Sequence, residues 1–214
     1  MNGTNYFFEN LYVSYDLMCI PPTSYNSIGS FFFLGYGIGA IFFFLPDAFG
    51  RKNVMSVFMT FVMFATYISA FGSDMSYMRF GFFMIGFFHL KISLSYTYAA
   101  ELVPESSKQL VLTIISAYDA CSLLIACSIM KFYKPNETLV MQFHFGLGFF
   151  ALFLFSLIIP ESPKWLFMKK GTNSREAINI LNYIAWFNGS ELRVPDDAVF
   201  DVIGQAIEED LSVI

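Results

Sequence analysis

The stretch Asp47-Ala48-Phe49-Gly50-Arg51-Lys52 constrains this chain more than any other. It is the first charged run after a long apolar segment, and another apolar segment follows at once. Residues 28–45 carry no charge, and residues 54–71 carry none either. Two such segments around a short charged hinge read as two membrane-spanning helices that turn in water and re-enter lipid. Gly50 permits the sharp turn, and Arg51 with Lys52 suits the side of a membrane on which positive charge collects.

Composition places the rest of the chain in the same class. Hydrophobic residues make up 56% and charged residues 14%, with 28 Phe, where a soluble domain carries about 25% charged residues. Uncharged or nearly uncharged segments of spanning length recur at 28–45, 54–71, 80–100, 110–130 and 139–159. The expected fold is an all-α integral membrane protein with five transmembrane helices and a C-terminal amphipathic helical cap. Three regions follow: an outer-side segment over 1–26, the membrane bundle over 27–160, and an inner-side helical region with an acidic tail over 161–214. Pro21-Pro22 is expected to keep a continuous helix out of the first region.

Orientation follows from the short-loop cations. Arg51, Lys52, Lys108, Lys164, Lys169, Lys170 and Arg175 gather on one side, which becomes the inner one; Lys131 and Lys134 lie on the other. Asn136-Glu137-Thr138 is a glycosylation tripeptide on the outer side, a pattern frequent by chance. In the inner region Ser174 is suited to cap a helix carrying Ala177, Ile178, Leu181, Ile184 and Ala185 on one stripe. A second amphipathic helix is expected from about residue 195 to 213.

Several functions are excluded on composition. Residues 161–214 hold 9 Asp/Glu against 5 Lys/Arg, so nothing suggests nucleic-acid binding. Cys19, Cys121 and Cys127 have no metal or disulfide spacing, and the last two read as buried small apolar residues. With 2 His and no nucleophile elbow or phosphate loop, neither an enzyme nor a cofactor nor a metal site is expected. Gly35 and Gly39, four apart on one helix face, suit close approach of a neighbouring helix; a dinucleotide loop would need a preceding strand.

Lys91 and Asp119 fall inside the third and fourth expected spans, each nine residues from the inner end. An isolated charge at that depth costs at least about 2.5–3.5 kcal/mol, so a Lys91–Asp119 pair between antiparallel helices is expected. The pair reads either as structural neutralisation or as a substrate or proton site. His89, two residues from Lys91, points elsewhere on a helix.

Several motifs in order resemble one family. Asp47-Ala-Phe-Gly-Arg-Lys52 resembles the D-R-x-G-R-[RK] loop between the second and third spans of major facilitator superfamily transporters. Glu101 with Lys108 resembles the E-x6-R motif after the fourth span. Pro160-Glu161-Ser162-Pro163-Lys164-Trp165-Leu166 is similar to the P-E-S-P-R-W-L motif of the sugar-porter and organic cation/anion transporter branch. The run from Arg175 to Leu181 resembles the first helix of that branch's central inner loop, and Tyr15-Asp-Leu-Met-Cys19 the end of its outer loop.

The resemblance implies that the five spans correspond to the family's second to sixth, with the first span and the second six-helix half having no counterpart here. It also implies a charge network of Asp47, Arg51, Glu101 and Lys108 that holds helices in register. Ala48, Phe43, Lys108 and Lys164 depart from the family's usual Arg, Gly, Arg and Arg, which implies a weaker gating network, because Lys cannot grip a carboxylate with two donors. Two functions stand. One is a transporter-derived subunit with a structural role in a larger membrane complex, its partners being other membrane protein subunits and lipids. The other is one piece of a split or oligomeric carrier for organic ions or sugars, completed by a chain supplying the remaining helices. An organellar inner membrane such as the mitochondrial one suits the first, and the plasma membrane suits the second.

Overall fold

The protein is described from a computed structural model over residues 21–72, 74–133, 137–171, 174–191 and 193–195. Among the described residues every regular element is helical and none is a strand. The outer-loop motif, Cys19, Asn136 of the glycosylation tripeptide and nearly all of the helix expected after residue 195 lie outside them.

Helix α1 (Pro22–Ala40) begins earlier than expected. Proline interrupts a helix only in its interior; here Pro22 sits in the first turn, where its missing N–H would have had no helical partner. After a turn over 41–44 comes the short α2 (Leu45–Phe49), with Pro46 again in the first turn. Gly50 separates it from α3 (Arg51–Phe71). The third apolar segment is two helices, α4 (Met75–Phe87) and α5 (Lys91–Leu102), joined by a 3₁₀ turn at Phe88–Leu90. Then follow α6 (Glu105–Tyr133), α7 (Glu137–Ile158), α8 (Pro163–Lys170) and α9 (Arg175–Phe187).

Two stretches, Arg51–Phe71 and Glu105–Ile129, are each long and apolar enough to cross a membrane. A third joins them if Gln142–Ile158 and Pro163–Lys170 are counted as one broken span. The structure thus offers two to three membrane-capable helices by length and composition. Polar residues at the start of α1 and the break before Lys91 set the other two expected segments apart from these.

The chain divides into two compact units, and the division runs across helices. One unit comprises residues up to Phe43 with Ser56–Lys91 and Ser116–Leu157. In it α1 packs on α4 with backbone nearly touching backbone. A Cβ on Gly35 or Gly39 would run into the main chain at Phe83 and Phe87, and one on Gly86 would strike that at Phe32, whereas Gly37 faces open space. Phe88, at the 3₁₀ turn, stacks on Phe61 at 4.8 Å and meets Phe58 edge-on at 5.3 Å. Phe58, Val62, Ala65 and Met78 complete a buried centre.

The other unit comprises Phe44–Met55, Ile92–Ile115 and the chain from Ile158 onward. Its buried residues include Val54, Leu94, Tyr98, Leu166, Ala177 and Ile178. Ser174 caps α9, its Oγ accepting the Ala177 N–H at 3.4 Å, and α9 lies against α8. This unit holds the hinge and the Pro-Glu-Ser-Pro stretch.

Candidate functional site

The site grows from the two ends of a single glycine. Gly50 has φ +100°, a backbone conformation that side-chain-bearing residues avoid, and a Cβ there would collide with the Glu161 carboxylate. This turn frees the first N–H groups of α3, which have no helical partners. Glu161 answers them: its Oε1 accepts the Lys52 N–H at 2.9 Å and the Ser162 N–H at 2.9 Å. A carboxylate at a helix N-terminus also meets the positive end of the helix dipole.

Arg51 supplies the second set of contacts. Its Nε donates to Glu101 Oε2 and its Nη2 to Glu101 Oε1, each at 3.2 Å, forming a two-donor fork. Nη1 also donates to Asp47 Oδ1, four residues back on α2 across the Gly50 turn. The Arg51 and Glu101 side chains are each 10% exposed, while that of Asp47 is 73% exposed. Arg51 and Glu101 are therefore a largely buried pair, and Asp47 is its solvent-facing member.

The Pro-Glu-Ser-Pro stretch closes on the same loop. Ser162, fully buried, caps α8 by accepting the Trp165 N–H at 3.2 Å, and Pro163 fills the first helical position. Trp165 Nε1 then donates to the Asp47 carbonyl at 2.9 Å. The Tyr98 hydroxyl, on a buried side chain of α5, donates to the Pro160 carbonyl. Four segments, α2 with the start of α3, α5, residues 160–162 and α8, are thereby tied together by charge and hydrogen bonds. Such a knot can hold helix ends in register or release them together.

Of the residues expected to form the charge network, the structure brings Asp47, Arg51 and Glu101 together and adds Glu161 through the Lys52 backbone. Lys108 lies elsewhere, paired with Glu105 at 3.3 Å within the first turn of α6. Tyr98 and Trp165 belong to the knot although no charge or spacing marked Tyr98, and Trp165 was noted only as part of a motif. Lys91 starts α5 half-buried, and Asp119 lies on the exposed surface of α6. His89 is flanked edge-on by Phe32 and Tyr36 at 5.4 and 5.5 Å. Cys121 and Cys127, expected to be buried, are exposed, because residues 116–129 of α6 are exposed at every position. Among the described residues no cluster of three His, Cys, Asp or Glu side chains is poised for a metal.

Comparison with known proteins agrees with the motifs that meet here. The carcinine transporter of Drosophila melanogaster is 22% identical over 192 residues, covering 88% of this chain and 28% of that protein. The chain thus spans under a third of the length of that relative. The family model for "Sugar (and other) transporter" matches residues 4–203. With its apolar helices this makes the chain an integral membrane protein, similar to the sugar-porter and organic-cation branch of the major facilitator superfamily. The chain belongs to the sugar (and other) transporter family.

Proposed function

We propose that this transporter-family chain serves as a structural, assembly-type subunit of a larger membrane protein complex and does not move solute by itself. One observation carries the reading. Among the described residues, the apolar stretch Glu105–Ile129 of α6 buries none of its side chains, yet it carries Tyr118, Asp119 and Ser122 in mid-course. Ionisable side chains in spans face protein or a wet cavity rather than lipid. Other membrane chains are the natural cover for such a helix, and the knot would keep the inner helix ends in place while they dock.

In such a subunit five spans form a bundle over 27–160, with an outer segment over 1–26 and an inner cap over 161–214, and the knot lies on the inner side. It also includes a Lys91–Asp119 pair acting as structural neutralisation. An organellar inner membrane suits this role.

A second reading is favoured by the Arg51–Glu101 fork, which forms even though Ala48 replaces the family's usual arginine. In it the chain is one part of a split or oligomeric carrier for organic ions or sugars. The carcinine transporter among its relatives makes an organic cation the first solute to try.

Uptake by lipid vesicles separates the readings, using carcinine, a second organic cation and a hexose. The structural reading predicts no uptake by the purified chain and none by the complex that co-purifies with it. Uptake by the complex alone supports the carrier reading. Uptake by the isolated chain contradicts both.

A further inference from the structure

Helix α9 has more apolar surface than its packing uses. Ala177 and Ile178 are fully buried on one side, which accounts for its amphipathic stripe. Its last turn adds a second apolar surface. Trp186 is 64% exposed and Phe187 65% exposed, and the Tyr183 ring lies 6.1 Å from Trp186 and 6.4 Å from Phe187. Toward the N-terminus the exposed positions are polar: Arg175, Glu176 and Asn179. The aromatic surface is therefore confined to one end of the helix.

That end is held at a defined place. The Tyr183 hydroxyl donates to the Ile158 carbonyl at 3.0 Å. Ile158 is the last residue of α7, and its carbonyl is among those a helix C-terminus leaves without a helical partner. Ile158 is itself 42% exposed and apolar. Tyr183 thus pins the aromatic turn at the point where a long apolar helix ends. Tyr and Trp collect at that level of a bilayer, where the ring meets acyl chain and the polar tip meets water. Exposed Lys164 and Lys169 on the adjoining α8 supply the charge that anionic headgroups attract.

We propose that the last turn of α9 is a lipid anchor: Tyr183, Trp186 and Phe187 insert among the headgroups and upper acyl chains of the inner leaflet, beside the end of α7. The anchor fastens the inner cap to the bilayer surface and holds under either reading of function, requiring only that α7 is embedded in lipid.

The chain has 2 Trp, which makes the test direct. The full chain with Trp165→Phe, leaving Trp186 as the sole indole, is reconstituted into vesicles of phosphatidylcholine with a minor share of phosphatidylglycerol. Emission is compared between plain lipids and lipids brominated either near the glycerol end or near the methyl end of the acyl chain. The anchor predicts blue-shifted emission, strong quenching by the shallow bromines, weak quenching by the deep ones, and protection from aqueous iodide. Quenching by iodide instead, or by neither bromine nor iodide as under a protein partner, overturns it. Should Trp165→Phe fail to fold, the wild-type signal minus that of Trp186→Phe reports the same quantity. A chain carrying Trp165→Phe, Trp186→Phe and Phe150→Trp, with its one indole on the exposed face of α7, must be quenched by the deep bromines. That control separates failure of the anchor from failure of the membrane reading.

Discussion

Arg51 spends its donors on two carboxylates, and the two differ in what they contribute. Glu101 is nearly as buried as Arg51, so removing either partner strands a charge away from water. Arg51→Ala should cost about 3–5 kcal/mol of stability. Replacing both, as Arg51→Met with Glu101→Leu, should recover most of that loss, because neither charge is then left unpaired. Unfolding midpoints in a mild detergent decide it; an Arg51→Ala protein as stable as wild type would refute the buried fork. Glu161 makes a separable case. Glu161→Gln keeps an acceptor for the Lys52 and Ser162 N–H groups and should lose only the dipole interaction, about 0.3–1 kcal/mol. Glu161→Ala leaves those donors unanswered and should cost about 1–3 kcal/mol. Equal losses for the two would mean the carboxylate does not cap the helix. The charged members of this knot were legible in the sequence because they interrupt apolar runs. Tyr98 and Trp165 were not, since each bonds a backbone carbonyl far along the chain and no side-chain pattern encodes a carbonyl. Lys108 was expected in the network, but Glu105 lies three residues away on the same helix and is the nearer partner.

α1 and α4 associate through close packing, backbone against backbone at their glycines. Gly35 and Gly39 meet the α4 backbone while Gly37 does not. Gly35→Leu or Gly39→Leu should therefore destabilise by about 1–3 kcal/mol or more, and Gly37→Leu should be close to neutral. Equal effects at all three positions would contradict the α1–α4 crossing. The four-residue glycine spacing made this face readable in advance. Element boundaries were less so: Pro22 begins a helix rather than blocking one, and the third apolar segment breaks at Phe88–Leu90 beside Lys91. The proposed Lys91–Asp119 pair belongs at this scale, because it would bridge α5 and α6. A double-mutant cycle of Lys91→Met and Asp119→Asn should give a coupling of about 0.5–3 kcal/mol. Strictly additive losses would remove the pair.

Among the described residues, a tightly knotted set of helix ends occurs in the same chain as a long apolar helix, α6, that buries none of its residues over Glu105–Ile129. The exposure of α6 also accounts for Cys121 and Cys127: an apolar setting in sequence says that a residue avoids water, not which neighbour shields it. The proposed cover for α6 is other membrane proteins. Photo-crosslinking in the native membrane tests it most directly, with a benzophenone side chain placed in turn at Tyr118, Ala120, Leu123 and Ile125 around the exposed part of the helix. At least one position should form a discrete adduct with a second membrane protein, while others label lipid. Lipid adducts at all four positions would contradict it.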